Sequence, residues 1–171
     1  QFLKGGGYSA MGGVSLAAGE SLLGWSSTGS FEASFKENFT LTNIAANSLA
    51  TAGFLGANRI KFNFTGAGKE SVFKAASKFS WSDGFRSLRS GSATSAASSW
   101  KIGLKVLGIK AAPLATTAGI IYGSKVAKGV MENGTQYFAK NDQEMQGKRR
   151  ADLASAIVVG VMAGSFLTAK G

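Results

Sequence analysis

The chain has 171 residues, room for one domain or two small ones, a formal net charge of +10, and neither cysteine nor histidine. The missing residue types exclude Cys- and His-based zinc sites, Ser-His-Asp and Cys-His nucleophilic arrangements, and any histidine general base. Glycine supplies 24 residues, proline one, and charged residues only 16%, a balance that suits close helix contacts and flexible joints better than an ordinary enzyme.

The charge is unevenly spread. Residues 1–98 carry nine basic and five acidic side chains, a net +4, and residues 99–171 carry ten and four, a net +6. The second excess coincides with the strongest apolar runs. Basic side chains flanking apolar runs favour anionic lipid surfaces. Nucleic acid attracts the same charge, but the basic residues are not interleaved with aromatics as stacking platforms require, so no nucleic acid is expected as a partner. The charge also keeps an apolar chain soluble. Gln1 in place of an initiator methionine is expected of a processed or excised piece, and the glycine-rich stretch after Lys4 makes a poor signal-peptide core.

In chain order, residues 5–25 are apolar and glycine-rich, with Met11, Val14, Leu16, Leu22, Leu23 and Trp25 on a loose helical stripe. Each glycine costs roughly 1 kcal/mol in a helix interior, so the stripe needs close packing to hold. Ser26 to Ser30 reads as a loop. Phe31, Phe35 and Phe39 then recur every four residues, and Glu32 and Lys36 form an i,i+4 pair, which predicts a short amphipathic helix over 31–38. Asn38 to Asn58 is an uncharged run of 21 residues. Thr40 is placed to cap a helix there, with Leu41, Ile44, Ala45, Leu49, Ala52 and Leu55 on its stripe.

Arg59 to Thr65 alternates apolar and polar residues and is the one strand-like stretch. The TGAGKE segment at 65–70 lacks the first glycine and the final Ser or Thr of a phosphate loop, so it reads as a turn. Lys69 to Trp81 reads as one basic amphipathic helix, ended by Asp83-Gly84. The low-complexity GSATSAASS at 91–99 is the expected boundary between a glycine-rich helical region, 1–90, and a basic apolar helical hairpin, 100–171.

Within that hairpin Pro113 is expected to kink or restart the first helix. Asn133-Gly134 is expected to end it. Residues 135–150 form a polar connector. The second apolar run, Leu153 to Ala169, has seventeen residues without a charge. As a helix it is about 25 Å long, just short of the ~30 Å hydrocarbon core of a bilayer. Ala156, Gly160 and Gly164 recur every four residues along one face, the spacing of small residues that lets another helix approach closely. The expected fold is therefore mainly α, with at most one short β element.

Enzyme chemistry finds little to stand on. Asp142 and Glu144 are close in sequence, but a D-x-E in a polar connector reads as solvated. No catalytic residue, metal or cofactor is expected. The segments GIIYGSKVAKGVMENGTQYF and ADLASAIVVGVMAGSF, with FLKGGGYSAMGGVSLAAG at the start, resemble regions near the C-terminus of bacterial polymorphic toxins of the Rhs type. The resemblance is compositional, and no functional residue carries over. It implies a C-terminal toxin or toxin-adjacent piece, released as a secreted effector. Without histidine, membrane permeabilisation is favoured over His-dependent nuclease activity. On that reading the effector acts at the target-cell inner membrane. Lys101, Lys105, Lys110, Lys125 and Lys128 make first contact with anionic membrane lipids, and runs 111–124 and 153–169 enter. The implied protein partners are an immunity protein or the parent toxin shell. The rival expectation is a non-catalytic structural or translocation module of a larger secreted toxin.

Overall fold

The computed structural model describes residues 10–14, 17–18, 21–22, 29–63, 68–89 and 96–169. Among these the fold is mainly helical: α1 Phe31–Asn38, α2 Leu41–Arg59, α3 Val72–Ser77, α4 Trp81–Arg89, α5 Ala96–Asn133, a 3-10 turn Gly134–Phe138, and α6 Gln143–Leu167.

Local signals place the first helices. Ser30 caps α1, its hydroxyl accepting from the Ala33 amide at 3.3 Å. The four-residue period lines Phe31, Phe35 and Phe39 along one side, with ring centroids 5.8 and 4.4 Å apart. Thr40 caps α2 as expected, accepting from the Asn43 amide at 3.2 Å. Residues 10–14 are helical and lie against α2. A Cβ added at Gly12 would come within 2.6 Å of the Thr51 hydroxyl, and one at Gly13 within 2.6 Å of the Ile44 carbonyl. Much of the expected 5–25 stripe lies outside the described residues.

Three local expectations are met in part. The strand-like 59–65 stretch contributes one antiparallel bridge, Phe62 to Glu70, closed by backbone bonds of 2.7 and 2.9 Å. No further strand is present among the described residues to extend it. The turn at 65–67 lies outside them. The single helix expected over 69–81 is two, α3 and α4, and Asp83-Gly84 opens the second instead of ending the first. Ser80 and Asp83 form a reciprocal cap: the Ser80 amide donates to the Asp83 carboxylate at 2.8 Å and the Asp83 amide to the Ser80 hydroxyl at 3.2 Å. Lastly, of the kink or restart expected at Pro113, the restart does not occur: α5 runs through the proline. A proline removes one amide from the ladder, and in a helix of 38 residues cooperative propagation on both sides carries the chain past it.

Gly134 ends α5 in the left-handed region, φ +57°. Of the polar stretch 135–150, only the part before Gln143 is connector; the rest forms the first turns of α6. Asp142 caps that helix, accepting from the Met145 amide at 3.1 Å.

The contacts form two compact units, Gln1–Leu55 with Ile120–Ala156 and Gly56–Gly119 with Ile157–Gly171. Gly53 faces Ile120 in the first unit, and Gly84 faces Leu107 in the second.

Candidate membrane-facing helix pair

Along the apolar part of α6 and its last turn, the buried positions are Ala156, Gly160, Gly164 and Thr168. They repeat every four residues, so one narrow face of the helix is covered. In the second unit this face meets α5 in antiparallel register, Gly160 at Ala118 and Gly164 at Leu114. A Cβ on Gly160 would lie 2.6 Å from the Ala118 amide nitrogen and Cβ, and one on Gly164 would lie 3.0 Å from the Leu114 Cα. The backbones touch because neither glycine carries a side chain.

The large apolar side chains of the same helix point away. Ile157, Val158, Val161, Met162 and Phe166 are all exposed, Met162 at 68% and Phe166 at 83%. In the other helices the pattern recurs. α5 buries Gly103, Pro113, Thr117, Ser124 and Gly129, but also Val106, Ile109 and Lys110, and exposes Ile102, Leu104 and Met131. α2 buries Asn43, Ala46 and Ala50, while Leu41 is 85% exposed. Among the described residues, half of the buried apolar ones are alanines. A small conventional cluster, Ala75, Ala76 and Ile109 with Phe79 against it, sits in the second unit.

Three buried hydroxyls bond within one turn of their own chain, while buried Ser34 donates to the Ser21 carbonyl at 2.9 Å, thirteen residues away. Thr117 donates to the Pro113 carbonyl at 2.7 Å, Ser124 to Ile121 at 2.8 Å and Thr168 to Gly164 at 2.8 Å. Back-bonding of this kind hides hydroxyls without water or a second chain. On the apolar part of α6, small residues are covered and large apolar residues are exposed, a distribution compatible with helices in a lipid solvent. Two helical segments, Trp100–Phe138 and Gln143–Leu167, are long and apolar enough to cross a membrane.

The five lysines expected to touch headgroups are not equivalent. Lys101 and Lys105 are exposed one turn apart, and Lys125 is half-buried. Lys128 is drawn inward, donating to the Asn43 side-chain carbonyl at 3.1 Å, with Glu132 at 3.9 Å. Lys110 is only 5% exposed, and its ammonium donates to the carbonyls of Ala76 at 3.2 Å and Thr168 at 3.1 Å. In this structure it ties the end of α3 to the turn after α6.

The connector of the pair is held by polar contacts that the sequence did not single out. The buried Tyr137 donates its hydroxyl to Asp152 at 2.9 Å and packs where a side chain on Gly129 would stand. Arg149 donates to the Tyr137 carbonyl and, at 3.2 Å, to that of Ala139. Lys148 pairs with Glu132 at 3.0 Å. The one visible signal was the Lys148-Arg149-Arg150 run beside an apolar segment. Among the described residues no group of acidic side chains is gathered as a metal site would require. No family model, curated protein or solved structure matches the chain.

Proposed function

We propose that this chain is membrane-active, a bacterial toxin fragment whose two long apolar helices insert into a target cell's inner membrane and permeabilise it. The observation that carries the reading is the inverted burial of α6, with Ala156, Gly160 and Gly164 covered and Ile157, Met162 and Phe166 open. In water such exposure is unfavourable by about 25 cal/mol per Å² of apolar surface, and lipid removes that penalty. Net charge supports it, since +10 draws the chain to anionic headgroups before insertion. Lys101 and Lys105 are the exposed residues of α5 best placed for that encounter. The compositional resemblance to Rhs-type toxin C-termini supports the toxin context, with an immunity protein or the parent shell as partner.

Dye release from vesicles tests the reading. Vesicles containing anionic lipid are expected to leak on addition of the protein, and those of zwitterionic lipid alone much less. Retention of the dye, with the protein left in the aqueous phase, would overturn it. Membrane binding without release would favour the passive structural or translocation module.

A further inference from the structure

The polar end of the helix pair contains a cavity of about 450 Å³, lined by Tyr122, Lys140, Gln146, Arg149, Arg150 and Leu153. Three of the six carry positive charge, and none is acidic. Of the carboxylates close in sequence, Glu132 takes Lys148, Asp152 accepts from Tyr137 and Asp142 accepts from the Met145 amide, and neither Asp142 nor Glu144 lines the cavity. Arg149 is fixed in place by the two carbonyls it binds, and Gln146 donates its side-chain amide to the Lys140 carbonyl, which fixes the backbone at that wall. Lys140 and Arg150 are exposed and carry the charge that no acidic side chain pairs with among the described residues. Tyr122 and Leu153 add an apolar flank.

We propose that this cavity binds the phosphate of an anionic lipid headgroup. A phosphate is a compact polyanion suited to a fork of guanidinium and ammonium donors. The apolar wall fits the glycerol stem beside it. The site lies at the connector between the two segments able to cross a bilayer, the level at which headgroups stand once such a pair inserts. The inference rests on the membrane-active reading, and its test separates the two.

Two vesicle populations decide it, one with phosphatidic acid and one with cholesteryl hemisuccinate, a carboxylate, each in phosphatidylcholine and matched in measured surface potential. The native chain is expected to bind the phosphatidic acid vesicles about tenfold more tightly, the gain of one good charge-assisted contact. The double variant Lys140→Gln/Arg150→Gln should lose that preference. Lys101→Gln/Lys105→Gln, with the same change in charge, should weaken binding to both and keep it. All four substituted side chains are exposed, and circular dichroism checks that each variant folds.

No preference in the native chain, or a preference that survives in Lys140→Gln/Arg150→Gln, overturns the proposal. So does saturable binding of glycerol 3-phosphate with equal affinity for either vesicle, which would mark a free-phosphate site. Displacement from phosphatidic acid vesicles by a single-stranded oligonucleotide in equimolar amount overturns it in favour of nucleic acid. Leakage without headgroup preference defeats this inference alone, and headgroup preference without leakage defeats only permeabilisation.

Discussion

Gly160→Leu is expected to destabilise the protein by roughly 3 kcal/mol, the upper end for overpacking, and to abolish ordered assembly in membranes. The reason is what stands opposite. A first added carbon would already sit 2.6 Å from the backbone nitrogen of Ala118, and backbone cannot rotate aside as a long side chain can. The two helices must separate, and the Gly164 contact with Leu114 opens with them. Net charge is untouched and apolar content rises, so a chain that merely partitions into lipid would bind as well as before or better. Val159→Leu, one residue away on an exposed position, is the control and should change stability by no more than about 0.5 kcal/mol. Thermal unfolding and dye release, measured on both, check the result; equal behaviour would mean that the small-residue face does not hold the pair.

Lys110→Ala is expected to destabilise by about 3 kcal/mol. It removes two charge-assisted hydrogen bonds, to the Ala76 and Thr168 carbonyls, and leaves a void where the aliphatic stem lay. Lys110→Met refills the void without restoring the bonds. It also relieves the ammonium of its burial, so its loss should be near 1 kcal/mol. Denaturant melts of the two variants give the order, and amide exchange should rise first in residues 160–169. A Met variant as damaged as the Ala variant would place the whole effect in the hydrogen bonds and none in packing.

The sequence made some of this plain and hid the rest for identifiable reasons. The Phe31, Phe35, Phe39 period and the Thr40 cap are local, and local signals survive into the fold. The face of Ala156, Gly160 and Gly164 is also local, because four-residue spacing fixes which residues share a side of a helix. Lys110 was legible as a basic residue of α5, but its burial was not. It lies nine residues after Lys101, and at about 100° per residue that is the opposite side of the helix, so the two lysines cannot face one surface together. Asp83-Gly84 carries two local meanings, a turn signal and the closing half of a cap begun at Ser80, and only the neighbouring chain decides between them. The contacts of Lys128 with Asn43, and of Tyr137 with Asp152, join distant or separately folded segments, and no spacing rule reaches them. The inverted burial was hidden for a different reason. Periodicity identifies an apolar face but does not say which solvent that face meets.

The large share of small residues in the interior bears on the thermodynamics of unfolding in water. Heat capacity and denaturant sensitivity both grow with the apolar surface that unfolding newly wets. Here much of that surface, on Leu41, Met162, Phe166 and their neighbours, is wet already. The increment per residue should therefore fall below the ~12–15 cal/mol/K of ordinary globular domains. The stability curve is expected to be correspondingly flat, so that cooling or warming by a few tens of degrees moves stability little.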